Sequence, residues 1–273
     1  MSKDQTYRAF IKMHGLGNDF VIFDARSDKL ELTPAEVQAV ADRRTGIGCD
    51  QLIVIRPSAR AHAFMEIWNS DGSRVGACGN ASRCVGDLLL RESGEDRIQL
   101  ETDAGLLSAE RATEHVSVNM GQARTAWQEI PLAGAFDTTA LPLEADGLSA
   151  PGAVNMGNPH AVFFVGDVDA VPLEHIGLEL EHHALFPERA NISVATVSGN
   201  IIRVRVWERG AGITRACGTA ACAALVAANR KGLIGRSATI QLDGGRLQVA
   251  WLDDGSVQMT GPVAHVFSGQ VVI

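Results

Sequence analysis

Apolar residues along the chain gather into short runs rich in branched and aromatic side chains, the pattern of strands rather than of long helices. "RAFIKM", "FVIFD", "LIVI", "AFMEIW", "RIQLE" and "HVSVN" come first, then "AVFFV", "ISVATV", "IIRVRVW", "ATIQL" and "RLQVAW". Helical patterning is sparse. Thr33, Pro34 and Glu36 spell a capping box with proline at the first helical position, and "PLEHIGLELEHHALF" from Pro172 predicts its counterpart. Two further helices are predicted to begin at cysteine motifs, "CGNASRCVGDLLLRES" and "CGTAACAALVAANRKG", the second stopped by Gly232. Its Ala- and Leu-rich run predicts burial on nearly every side. The pattern suits a sheet wrapped around a central helix better than βαβ winding.

The two cysteine motifs belong to a longer repeat. Trp68 precedes Cys78 by ten residues, and Trp207 precedes Cys217 by ten. Gly17-Asn18 aligns with Gly157-Asn158 and Gln51 with Asn191, both at an offset of 140; Asn69 aligns with Glu208 and Cys78 with Cys217, both at 139. "VNMG" from 118 falls on "VQMTG" from 257, again at 139. Matches in one order, within one residue of the same offset, read as duplication of a whole domain, since solenoid repeats are far shorter. The boundary is expected in the Gly- and Pro-rich stretch between 122 and 150.

Composition adds a soluble, globular character: 273 residues, 46% hydrophobic and 21% charged. A net charge of -8 disfavours nucleic acid and anionic membranes as partners and leaves a small molecule as the better expectation. The N-terminus shows no apolar core of signal-peptide length, and "AACAALVAA" at 220–228 is too short to span a bilayer, so a cytoplasmic protein is expected. In that reducing setting the five cysteines read as thiols rather than a disulfide framework. Zinc is disfavoured by the C-x5-C and C-x4-C spacings on helices. "HGLGNDF" and "GIGCDQ" each lack the third glycine of a dinucleotide fingerprint.

The chemistry then rests on where Cys78 and Cys217 sit. A cysteine just before a helix lies beside unpaired backbone N–H groups and the positive end of the dipole, which predicts a thiol pKa below the free value of about 8.5. The same N–H groups can hold a carboxylate, and Gly79 and Gly218 allow close approach. A thiolate and an anion-binding turn, written twice, suit proton exchange at a stereocentre with one sulfur on each face. Cys84, Cys222 and Cys49 read as buried structural residues. His160 reads either as a loop histidine bonded to backbone or as a group tuning a thiol. Glu208-Arg209 is expected to be functional because it follows the repeated tryptophan.

"MHGLGNDF", "GIGCDQL", "NSDGS", "CGNASRC", "MGNPH", "ERGAGITRACGTAAC" and "MTGPVAHVF" together resemble the diaminopimelate epimerase family, in order over nearly the whole chain. The resemblance implies an α/β (α+β) fold of two pseudo-symmetric halves, each a β-barrel-like sheet around a central helix. The halves would be residues 1–122, with a returning C-terminal strand at 265–273, and residues 123–264. It implies a cofactor-independent epimerase of LL- and meso-2,6-diaminopimelate, in lysine and peptidoglycan-precursor synthesis, with no metal. Cys78 and Cys217 would be the thiol pair, Cys217 the acceptor and Cys78 the donor in the LL to meso direction. Gly79, Asn80, Gly218 and Thr219 would hold the reacting α-carboxylate. Asn18, Gln51, Asn69, Asn158, Asn191, Glu208 and Arg209 would bind the remaining substrate groups, with His160 and Glu208 tuning the thiols.

The chain departs from the family at Ala81 and Ala220, where a second glycine is common, at Ile213, and at Phe267, where some relatives use a tyrosine in a dimer contact. A homodimer is expected despite that departure, with Phe267 as its candidate contact. The rival readings are a related proline-type or histidine racemase, and a binding protein that retains the fold without turnover.

Overall fold

The computed structural model describes residues 7–273. Along the first half run β1 (Tyr7–Gly15), β2 (Asn18–Asp24), α1 (Pro34–Ala41), β3 (Gln51–Arg56), β4 (Ala63–Asn69), α2 (Gly79–Ser93), β5 (Arg97–Thr102), β6 (Gly105–Ala112) and β7 (His115–Gln122). The second half carries β8 (Glu144–Ala145), β9 (Leu148–Ser149), β10 (Gly152–Asn155), β11 (Pro159–Phe164), α3 (Leu173–Glu181), β12 (Asn191–Ser198), β13 (Ile201–Glu208), β14 (Gly212–Thr214), α4 (Gly218–Arg230), β15 (Ser237–Leu242), β16 (Gly245–Trp251) and β17 (Ser256–Gly261). The last strand, β18 (Ala264–Val272), pairs antiparallel with β1. Two compact units result: residues to Val118 together with Gly261–Ile273, and Asn119–Thr260.

In the first unit the strands are ordered β7-β6-β5-β4-β3-β2-β1-β18, and in the second β10-β11-β12-β13-β15-β16-β17. The duplication read from the sequence recurs in the pairing registers. Phe20 pairs with Gln51 across the parallel β2/β3 ladder, and His160 with Asn191 across the parallel β11/β12 ladder. Leu52 faces Trp68, and Ile192 faces Trp207. The predicted runs fell on strands, while β6, β17 and the short β8, β9, β10 and β14 were not singled out.

The strands around β2/β3 and β11/β12 are covered on two faces, which explains their unbroken apolar runs. In the second unit α4 packs against β10, β11, β12, β13, β15 and β16, so the sheet curls around it. Ala220 to Ala228 are all buried. Small side chains let the strands approach closely, and burying Leu225 and Val226 contributes about 2 kcal/mol each. In the first unit α2 meets β1, β5 and β6. On the outer face, Val37 and Val40 of α1 join Val21, Phe23, Leu52 and Val54, and Ile176 and Leu180 of α3 join Phe163, Ile192 and Val194. Strands with one helix-covered face alternate instead: Ile98, Leu100 and Thr102 of β5 point inward and Arg97 and Gln99 outward.

The capping box forms as predicted, the Thr33 hydroxyl accepting from the Glu36 N–H and the Glu36 carboxylate accepting from the Thr33 N–H. Helix α2 stops at Gly94, whose φ of 73° is left-handed. Helix α3 ends at Glu181, so the "HHALF" of its predicted extent lies outside it.

Candidate active site

The predicted site residues stand at strand ends and helix starts. Asn18 opens β2, Gln51 opens β3 and Asn69 closes β4; in the second unit Asn158 immediately precedes β11, Asn191 opens β12 and Glu208 closes β13. Because β2/β3 and β11/β12 are parallel and each next pair is antiparallel, these positions share one end of their sheet. Cys78 and Cys217 are the N-cap residues of α2 and α4, in extended conformation, with Gly79 and Gly218 the first helical residues. The opening N–H groups of a helix have no intrahelical acceptor, so each start offers donors to an anion.

In the first unit the Cys78 thiol lies 3.9 Å from Asn18 Oδ1, and Asn80 Nδ2 donates to that same oxygen at 3.1 Å. Gln51 Nε2 donates to Asn69 Oδ1 at 3.0 Å, and Asn69 Nδ2 to Ser73 Oγ at 3.1 Å. This leaves Gln51 Oε1 as a buried acceptor without a partner among the described residues. An acceptor so placed suits an ammonium group.

In the second unit His160 is fully buried, with Nε2 2.9 Å from Asn158 Oδ1 and Nδ1 unpartnered among the described residues. Burial, with Arg209 adding to it, lowers its pKa to about 3, so the imidazole is neutral. Asn191 is engaged at both ends: Nδ2 donates to Pro159 O at 2.9 Å, and Oδ1 accepts the Arg209 N–H at 3.0 Å. Its side chain thus holds the turn that carries Arg209, whose Nη1 reaches Glu188 O at 2.8 Å. Glu208 accepts from the Thr214 hydroxyl and is hydrogen-bonded to Cys217, whose sulfur is 3.4 Å from Thr219 Oγ1.

One expectation is corrected. A helix start was predicted to lower both thiol pKa values, but at Cys217 the shift is well upward. Burial is the largest cause and the Glu208 carboxylate adds to it; the Thr219 hydroxyl and the Ala220 N–H pull the other way and lose. Desolvation of the thiolate outweighs the helix start. Cys84 and Cys222 are completely buried and Cys49 nearly so, in line with their structural reading. Phe267 is 45% exposed and stacks edge-on against Phe10 at 5.8 Å. A surface cavity lined by Val171, Pro172, Arg205 and Asp243 contains none of the predicted site residues.

The family model for diaminopimelate epimerase matches residues 10–126 and 152–266. The chain belongs to the diaminopimelate epimerase family. It is 56% identical over 268 residues to the diaminopimelate epimerase of Rhodospirillum centenum, covering 97% of this chain and 92% of that one. It is also 56% identical over 270 residues to that of Phenylobacterium zucineum, covering 97% and 98%. Among solved structures, a hydroxyproline epimerase from Agrobacterium vitis superposes with a TM-score of 0.71 at 17% identity, covering all of this chain and 94% of that one. A phenazine biosynthesis protein of the PhzF family from Bacillus anthracis gives 0.70 at 16%, covering 98% and 100%. At such identities the likeness concerns the fold alone.

For this family member the sequence reading passed over the carboxylates behind the repeated tryptophans. Trp68 Nε1 donates to Glu66 Oε1 at 2.7 Å, and Trp207 Nε1 to Glu181 Oε2 at 2.8 Å; both acids are buried. Glu181 Oε1 also accepts the Gly210 N–H at 3.1 Å, which ties the turn after Glu208 to the end of α3. The repeated tryptophan was the available signal, since a buried indole N–H requires an acceptor.

Proposed function

We propose that the protein interconverts LL- and meso-2,6-diaminopimelate by cofactor-independent proton transfer at the α-carbon, with Cys78 and Cys217 as the two acid–base groups. The thiolate of one cysteine takes the α-proton, and the C–H electron pair passes to the α-carbon and its carboxylate. The S–H of the other delivers a proton to the opposite face and is left as thiolate. Hydrogen bonds from the starts of α2 and α4, at Gly79, Asn80, Gly218 and Thr219, stabilise the carboxylate as charge develops. Asn18, Gln51, Asn69, Asn158, Asn191 and Arg209 bind the remaining ammonium and carboxylate groups.

In the LL to meso direction Cys217 is the acceptor. Burial and the Glu208 carboxylate hold a proton on this thiol, so Glu208 tunes how readily the acceptor thiolate forms. His160, neutral at physiological pH, adds no cationic charge. The observation that carries the reading is the repeat of one arrangement, a cysteine capping a helix at the strand ends where the polar side chains gather. Family membership supports the substrate.

The test is exchange. Reduced protein, without added pyridoxal phosphate, incorporates solvent deuterium at the α-carbon of LL-diaminopimelate, and Cys78→Ala or Cys217→Ala abolishes epimerisation. Full epimerisation by either variant would sink the mechanism.

Two further parts belong to the same reading. A cytoplasmic location accords with the absence, among the described residues, of any helix long and apolar enough to cross a membrane; export of a tagged chain would contradict it. A homodimer through β18 accords with its position at the end of the strand order and with exposed Val266 and Phe267. Sedimentation as a monomer at micromolar concentration would remove it.

A further inference from the structure

In the first unit a chain of side-chain hydrogen bonds runs from a cation to an anion. Arg83 Nη2 donates to Asn80 Oδ1 at 2.9 Å, Asn80 Nδ2 to Asn18 Oδ1 at 3.1 Å, and Asn18 Nδ2 to Asp50 Oδ2 at 2.9 Å. A guanidinium only donates and an ionised carboxylate only accepts, so the two ends fix the direction of both amides between them. Asn18 therefore turns its carbonyl oxygen toward Cys78, whose sulfur lies 3.9 Å away.

Asp50 is itself held. Its Oδ2 also accepts the Asp19 N–H at 3.1 Å, and its Oδ1 accepts from Arg43 Nη2 at 2.7 Å. Arg43 grips both oxygens of Asp19, at 2.9 and 2.7 Å, and buried Lys12 reaches Asp19 Oδ2 at 2.6 Å. The second unit lacks this anion. At the repeat offset of 140, Asp50 falls on Ala190. There Asn158 is held by its oxygen, 2.9 Å from His160 Nε2. The duplicated asparagines are thus engaged differently, Asn18 through its nitrogen on the Asp50 carboxylate and Asn158 through its oxygen on His160.

We infer that Asp50 is a positioning residue that, with Arg83 at the far end of the chain, fixes the Asn18 amide with its oxygen toward Cys78. An amide oxygen there accepts from the thiol S–H or from a substrate ammonium and repels a thiolate or a carboxylate. The reversed amide would do the opposite. For turnover the inference rests on the role proposed for Cys78; thiol reactivity reads the amide orientation alone.

The experiment uses the full-length Asp50→Asn and Asp50→Ala variants. Their readouts are peptide-resolved alkylation of the reduced, ligand-free protein by iodoacetamide at pH 8, with Cys217 as internal reference, and kcat and KM for LL-diaminopimelate. An asparagine cannot satisfy Arg43, Asp19 and Asn18 at once, so the Asn18 amide reverses in a fraction of molecules and its NH2 group faces sulfur. Cys78 in Asp50→Asn is then alkylated about threefold or more faster relative to Cys217, the worth of one net hydrogen bond, and kcat falls about tenfold. Asp50→Ala, which removes the acceptor without offering a donor, gives the smaller change. The Asp50 side chain is 45% exposed, so both variants fold. Cys78 reactivity within twofold of native in both variants overturns the inference, whatever happens to turnover.

Discussion

Gly177 of α3 lies beneath the indole of Trp207. A Cβ at this position would meet Trp207 Cδ2 at 2.5 Å, Cγ at 2.6 Å and Cε3 at 2.7 Å. Carbon atoms pack at about 3.5 Å or more, so Gly177→Ala must drive the ring away by about 1 Å. That ring is hydrogen-bonded to Glu181 and immediately precedes Glu208, and Glu181 in turn holds the Gly210 N–H. Overpacking costs about 1–3 kcal/mol, offset by about 1 kcal/mol of improved helix propensity. The melting temperature therefore falls by only a few degrees. A displacement of about 1 Å in groups that orient reacting atoms costs about 100-fold. Gly177→Ala is accordingly expected to remain folded by circular dichroism and to lose about 100-fold in kcat for diaminopimelate epimerisation. A kcat within twofold of the native value would refute the claim that Trp207 sets the position of Glu208.

Two other outcomes follow from the thiols. Burial pushes Cys49 up to about 11 and raises Cys84 and Cys217 as well, whereas an unfolded thiol titrates near about 8.5. The folded chain then keeps protons that the unfolded chain releases, so the stabilisation is complete below about pH 8.5 and declines above it. Three thiols at about 1.4 kcal/mol per pH unit each predict a loss of about 4 kcal/mol between pH 7.5 and 9.5 in urea unfolding under reducing conditions, and a loss under about 1 kcal/mol contradicts it. Glu208→Gln removes the charge that, after burial, does most to raise the Cys217 thiol. Cys217 should then be alkylated severalfold faster than in the native protein at pH 8; an unchanged or slower rate would show that the carboxylate does not act on the sulfur.

Much of this was legible before any coordinates. Capping chemistry is local, so Thr33, Pro34 and Glu36 announced α1, and the cysteine-glycine pairs announced α2 and α4. The repeated tryptophan recurs in the registers of β3/β4 and β12/β13, opposite Leu52 and Ile192, because a duplicated ladder preserves the order of its residues. What escaped the reading lies across long separations. Glu181 is 26 residues from Trp207, and Asn18 is 62 residues from Asn80.

The sequence by itself therefore determined the duplication, the helix starts and most of the strands, since these depend on residue type, order and near neighbours. Only the tertiary structure decided how those residues behave. It set Cys217 deep enough that desolvation overrides the helix start, and engaged both ends of Asn191 in holding a turn. It also set the Asn18 nitrogen on Asp50 and the Asn158 oxygen on His160. Burial and hydrogen-bond direction are properties of what surrounds a group in space, and in this chain the surroundings come from strands and helices far apart in the sequence.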